Sequence, residues 1–597
     1  MRRMFGLLLT SLCLLMGTGA CSHRSLPAQL LSPEQQALQS WTQFEDRFLD
    51  TLWRLDPDWA LSVGHTRYRD TIVIPNATSR AQSLAFYRQM KSELLKIDPK
   101  TLPLLTQTDW QLVAEFLDES QWRLEQLQAY RWNPAAYNLS PGIARLFETQ
   151  SLSEVERFRS ASLRLAAARD YYAAAQASID DPTLEHTTLA IKQLQDIPAY
   201  WQETLGTKVD ATALDAQEKS LFHQRLTAAT AAVQEHIKWL TQLRDRLSRG
   251  QARSFRLPPA LYRQKFIYEL GSSSTPEEIY ARALKAKDET LAKMDQLASQ
   301  LYPRYVPGRP SPDRLQRIKR VVAELSKKHP EPQNFRRSIE AQLPELVSFV
   351  KDKNLVFLDP AKPLVVRDTP LYARGVAGAS VESPGPYDKS GETYYNVTPL
   401  DSYSNEQAQS YLREYNNYTL QILNIHEAIP GHYAQLLHAN ESPSLIKSIF
   451  GNGTMIEGWA VYAERMMLEQ GYAESPELWL MYYKWHMRVI LNTILDYEIH
   501  NKNLTRADGL RLLTKFGFQE QAEAEEKWKR ATLTQVQLAS YFTGYSEIYS
   551  LRAEMQAAEG DRFQLRAFHD RFLSYGSAPI KYIRELLLKP KVALNAP

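Results

Sequence analysis

Ile425-His426-Glu427-Ala428-Ile429-Pro430-Gly431-His432-Tyr433 is the stretch from which the rest of the chain is best read. Two imidazoles able to hold a metal flank a carboxylate able to handle a water. In the usual form of this pattern the second His lies four residues on, about 40° around a helix and on the same face. His432 comes six residues after His426, about 240° around, so a straight helix would aim the two rings apart. Pro430 offers a way out: it has no N–H for the carbonyl of His426 and disfavours helical geometry at Ile429, while Gly431 tolerates a bulge. The expectation is a helix that loops out two residues and returns His432 to His426.

A catalytic zinc keeps three protein ligands and one open position. Working outward, the next candidate is Glu457 in Ile456-Glu457-Gly458-Trp459-Ala460-Val461-Tyr462-Ala463-Glu464, one short connection and one helix downstream, the separation that gluzincin-type sites use. Glu464 lies two turns further along the same face, placed to orient a His ligand. Taken alone, each segment also reads as helix packing; in this order and spacing they point to a metal. Zn2+ suits an all His and Glu set. The only cysteines are Cys13 and Cys21, so a thiolate site in the body of the chain is excluded.

The N-terminus has a basic start at Arg2-Arg3, an apolar run from Met4 to Met16, and small residues up to Cys21. This is the pattern of a secretory signal too short to span a bilayer as a mature helix. Gly19-Ala20-Cys21 resembles the lipobox of bacterial lipoproteins, which implies cleavage before Cys21 and lipidation of its thiol, and hence a membrane anchor at the cell envelope. An ordinary signal with a chance cysteine is the alternative. With 71 Lys and Arg against 68 Asp and Glu among 597 residues, nothing favours nucleic acid.

Residues 22–34 read as a tether. Apolar residues at three- and four-residue spacing predict helices over 34–55, 79–97, 109–130, 153–177, 211–247, 276–301, 312–328 and 334–351, then over 478–501 and 534–558. Between them, about 355–400 carries Val365-Val366, Tyr372, Val376, Val381, Tyr394-Tyr395 and Val397 among Gly and Pro, which predicts short strands. The reading is a mainly α chain with one small β-sheet, an N-terminal helical region over 35–250 and a catalytic region over 251–597.

The motif pair, followed by Asp496 with His500, Tyr541 and Gly544 before Leu551-Arg552, and Phe568-His569-Asp570 with Tyr575-Gly576-Ser577 and Pro579, resembles the DUF885 family, grouped with the zincin-type metallopeptidases. The resemblance runs from roughly residue 40 to residue 590. It implies a large helical zincin-like fold around a deep channel, zinc at the channel floor on His426, His432 and Glu457, Glu427 as general base, and short peptides as substrates. Two departures stand out: Tyr433 where the family commonly has a second His, and Gln535-Val536 where a Pro-Gly often precedes the tyrosine segment.

Charge developing on a substrate carbonyl calls for a donor beside the metal, and His500, Tyr541 and Tyr545 are the candidates. Asp496 and His500, four apart on one helix, can pair for structural or catalytic reasons. Tyr394, Tyr395 and Asn396 are expected on a strand bordering the channel, where an extended peptide would add main-chain hydrogen bonds. His65, His236 and His486 read as ordinary residues. Two readings compete with a peptidase: a non-catalytic helical scaffold at the envelope, and a metal-dependent hydrolase of esters or other amides.

Overall fold

The computed structural model describes residues 31–370, 378–388, 391–401 and 403–588. The signal, Cys21, most of the tether, and Tyr372 and Val376 lie outside the described residues.

Helices dominate, and their starts follow from local chemistry. Ser32 with Gln35, Asp215 with Glu218, and Thr275 with Glu278 form capping boxes that open helices Pro33–Leu55, Ala216–Arg246 and Pro276–Tyr305. In each, a side-chain acceptor and a returning Glu or Gln satisfy N–H groups the first turn leaves open. Two of the expected helices are broken. The one over 109–130 runs as Leu104–Trp122, then a π turn, and ends at left-handed Gln128. The one over 153–177 splits into Glu154–Ala166 and Ala168–Ser178, because the N–H of Ala167 turns back to the carbonyl of Arg164 and tightens the chain there.

The small sheet contains β1 (Leu364–Asp368), β2 (Ala379–Glu382) and β3 (Thr393–Val397). Their order is β1-β3-β2, with β3 parallel to β1 and antiparallel to β2. Tyr395 stands opposite Val366 on one side and Val381 on the other.

Burial divides the described chain into two apolar cores. A smaller one is built from residues 137–247 with Leu61. The larger joins helices Pro33–Leu55 and Leu104–Trp122 to everything from Leu257 onward. Phe48 stacks on Phe450 at 6.0 Å, and Glu115 accepts from Lys581 and Tyr582 at 2.6 and 2.7 Å. The first helices therefore pack with one another and with the region expected to be catalytic, apart from the core of 137–247, so the two cores do not part at residue 250. No helix among the described residues is long and apolar enough to cross a membrane.

Candidate metal centre

His426 closes one helix, Asn417–Glu427, and His432 opens the next, His432–Asn440. The four residues between the two helices, Ala428 to Gly431, make the return. The N–H of Gly431 reaches back to the carbonyl of Ile425 at 2.9 Å, and the N–H groups of Ala428 and Ile429 both bond to the carbonyl of Asn424. A Cβ on Gly431 would lie 1.9 Å from the carbonyl oxygen of His426, so only glycine allows this approach. The Ile429–Pro430 bond is cis. The carbonyl of Pro430 accepts from Trp459 Nε1 at 2.8 Å, which ties the return to the helix that carries Glu457.

The result sets the two imidazoles edge to face, centroids 4.8 Å apart. Glu457 Oε2 lies 3.7 Å from His426 Nε2 and 3.5 Å from His432 Nε2, and the three donor atoms fall within 4.8 Å of one another. Tetrahedral ligands at 2.0–2.2 Å from a zinc stand about 3.3–3.5 Å from each other, so these gaps leave room for an ion where direct hydrogen bonds would close them. His426 Nδ1 donates to Glu464 Oε1 at 2.6 Å, and the same oxygen accepts from Trp485 Nε1 at 3.0 Å. That keeps a proton on Nδ1 and turns Nε2 toward the gap, where its lone pair becomes available once Nε2 gives up its own proton. The donor set fits zinc in type and number, and His426 is oriented for it.

Three carboxylates, Glu427, Glu457 and Glu464, crowd two imidazoles. Burial opposes charge on His426, yet its contacts with Glu457 and Glu464 hold its pKa well above the usual value. Burial likewise works against ionised Glu457, but the two imidazoles keep it well below the carboxylate range. Glu427 is pushed up, chiefly by burial. Such a pocket favours a positive centre. His426, His432 and Glu457 side chains are 8%, 13% and 21% exposed, so the cluster opens on one side.

Helix Gly453–Glu469 crosses helix Ser540–Glu559 at Gly458 and Gly544. A Cβ on Gly458 would meet Gly544 Cα at 2.4 Å, and one on Gly544 would meet the carbonyl oxygen of Thr454 at 1.9 Å. This close crossing sets Tyr541 beside Glu457's helix, its ring 6.5 Å from that of His426 and nearly parallel to it. Arg530 Nη2 donates to the Tyr541 hydroxyl at 2.9 Å.

Other expected site residues stand elsewhere. His500 accepts from the N–H of Leu257 at 3.0 Å and stacks on Tyr262, and burial lowers its pKa to about 3. It lies fifteen residues beyond Trp485 on one helix, about 22 Å of rise away. Asp496 does not pair with His500: it accepts from the Tyr262 hydroxyl at 2.7 Å and the N–H of Val536 at 2.9 Å. Tyr545 turns to His486, centroids 4.7 Å apart.

The peptide-binding role expected of Tyr394, Tyr395 and Asn396 is corrected by topology. β3 is the central strand, so neighbours take its main-chain groups on both sides, and β1 and β2 are the edges. Tyr394 bonds Glu392 and Gln150, Asn396 accepts from Arg367, and the Tyr395 hydroxyl donates to Asn424 at 2.9 Å, bracing the His426 helix. Trp485 and Arg530 escaped sequence reading because neither belongs to a recognisable motif.

A mainly helical chain with a two-histidine, one-glutamate cluster is the class that fold and site define. The chain belongs to the DUF885 family, described as bacterial protein of unknown function, whose model matches residues 57–587. A search of curated proteins found no match. Among solved structures, a candidate lipoprotein of unknown function from Shewanella oneidensis is 46% identical, covering 92% of this chain and 100% of its own, with a TM-score of 0.82. A candidate lipoprotein from Colwellia psychrerythraea, 19% identical, shares the fold over 94% of this chain and 99% of its own, with a TM-score of 0.75.

Proposed function

We propose that this chain is a zinc-dependent peptidase of zincin-like fold, held at the cell envelope by lipid on Cys21, that hydrolyses short peptides. One observation carries the reading: two Nε2 atoms and one carboxylate oxygen converge within 4.8 Å, with Glu427 next to the first ligand in sequence. Zinc, when bound, supplies a Lewis acid that polarises the substrate carbonyl and makes a water easier to deprotonate. Glu427 takes the proton from that attacking water and passes it to the leaving amine. The Tyr541 hydroxyl accepts from Arg530, which leaves its own proton free to donate to the carbonyl oxygen as that atom gains charge. Glu464 holds His426 in register. The deep channel that the family resemblance implies would favour short, unfolded substrates, and the relatives' description as candidate lipoproteins supports the anchor.

The test is metal content by mass spectrometry on the mature chain, beside His432→Ala and Glu457→Ala. About one zinc per chain, lost in both variants, is the expected result. Glu427→Gln should keep the metal and lose turnover of a peptide library by at least ~100-fold. A wild type that stays metal-free after zinc is supplied overturns the reading.

A further inference from the structure

Helix Gln521–Thr534 turns Glu523, Lys527 and Arg530 toward Lys484 and Arg488 on helix Pro476–Asn501 and toward Glu414. The carboxylates are already taken. Glu414 binds Lys484 at 2.8 Å and Arg488 at 3.0 Å, and Glu523 pairs with Arg488. Two cations remain. Lys527 is 8% exposed, and neither it nor Arg530 has a carboxylate within ion-pair reach among the described residues. Arg530 spends one nitrogen on two neutral acceptors, Gln537 Oε1 and the Tyr541 hydroxyl, both at 2.9 Å. Its Nη1 and Nε have no hydrogen-bond partner among the described residues.

Cations withdrawn from water are costly unless paired. Burial, with Arg488 and Arg530 close by, lowers Lys527 to about 7 even though Glu523 and Glu414 pull the other way. The surplus sits next to the chemistry. From the His426 ring to the Tyr541 ring is 6.5 Å, and the Arg530 guanidinium carbon is 5.7 Å from the Tyr541 centroid. The path from the His426 ring through the Tyr541 ring to that carbon is at most about 12 Å. A hydrogen-bonded carboxylate closes about 3–4 Å of it, and one or two extended residues past the scissile bond, at about 3.3–3.6 Å each, cover the rest of any path shorter than about 11 Å. The free N–H groups on Nη1 and Nε can still donate to a carboxylate oxygen, a charge-assisted bond.

We propose that Arg530, with Lys527 behind it, anchors the free C-terminal carboxylate of the substrate, so that cleavage removes one or two residues from the carboxyl end. This rests on the peptidase reading above. A zinc cluster alone leaves the cleavage position open, whereas a fixed anion anchor on one side of the cut assigns it.

The experiment pairs kinetics with binding. The zinc-loaded mature chain is given one N-acetylated pentapeptide as free acid, as C-terminal amide, and as an amide carrying Asp near its end. Wild type should favour the free acid in kcat/KM by roughly 10- to 100-fold. The preference should collapse in Arg530→Gln and persist in part in Arg530→Lys. Calorimetry of an acetyl-dipeptide acid against Glu427→Gln, with and without Arg530→Gln, reads the anchor without turnover, and Lys527→Gln replaces Arg530→Gln if that variant fails to fold. Equal cleavage of acid and amide by wild type overturns the anchor and leaves the peptidase reading standing. An Asp amide cut as fast as the free acid overturns the terminal assignment in favour of an acidic side chain. Equal loss on acid and amide in Arg530→Gln reduces Arg530 to a support for Tyr541. Arg530-dependent dipeptide binding without any peptide cleavage upholds the anchor while the peptidase reading falls; absence of both sinks both.

Discussion

Replacing Glu464 by glutamine keeps the shape of the pocket but removes the charge that holds the His426 Nδ1 proton. Zinc affinity should fall roughly 10- to 100-fold, read by competition with a chelator; unchanged affinity would mean that packing alone orients the ring. His236 offers a separate test. It is fully buried between Tyr172 and Trp239, and burial lowers its pKa to about 4. With a folded pKa below the unfolded value near 6.5, its contribution to stability is complete above about pH 6.5 and is lost as pH falls toward 4. His236→Phe should therefore gain on wild type by about 1–2 kcal/mol in going from pH 7.5 to pH 5, measured by urea unfolding at both; a gap independent of pH would contradict a neutral His236. Glu464 was legible because it shares a helical face with Glu457. Arg530 was not, because it belongs to no motif and only tertiary packing brings it to Tyr541. His500 was misread since a His one turn from an Asp looks like a pair, whereas each found a backbone N–H first.

Between elements, the connections carry the site. Gly431→Ala would force a Cβ against the His426 carbonyl, and should lose roughly 3 kcal/mol or more of stability together with zinc, by melts and metal analysis. Pro and Gly between two histidines foretold this return, since their backbone limits are written in the sequence. The connection at Gln535-Val536 was less legible. Both residues take positive φ, 42° and 70°, and the N–H of Gln537 bonds the carbonyl of Gln535 at 2.8 Å, a γ-turn that a β-branched residue adopts only under constraint. Asp496 supplies that constraint through the Val536 N–H, and Lys265 Nζ donates to the Gln535 carbonyl at 2.9 Å. The helix bearing Tyr541 consequently starts at Ser540, later than its apolar periodicity suggests. Asp496→Ala should cost about 2–3 kcal/mol by leaving a buried N–H unpaired, and should lower kcat more than it raises KM if the turn positions Tyr541. The strands were visible as a group, but their order was not: alternation reports which residues face the core, never which strand lies in the middle.

Across the whole molecule, two cores imply two units of opening. Hydrogen exchange should show amides of 137–247 exchanging together, at a free energy distinct from that of the helices around His426; one common protection level would mean that contacts such as His186 with the Leu533 carbonyl, at 3.0 Å, fuse the cores. Helical class and the presence of a small sheet could be read from periodicity. The pairing of the first helices with the last could not, since amphipathic faces name no partner. That pairing has a consequence in time. A ribosome adds roughly 5–20 residues per second, so the 137–247 core can close as soon as its own residues have emerged, whereas Glu115 waits roughly half a minute to a minute and a half for Lys581. Throughout that interval Phe48 can already meet Phe86 and Phe116 but not Phe450, so one side of this aromatic cluster stays uncovered until the far end of the chain arrives.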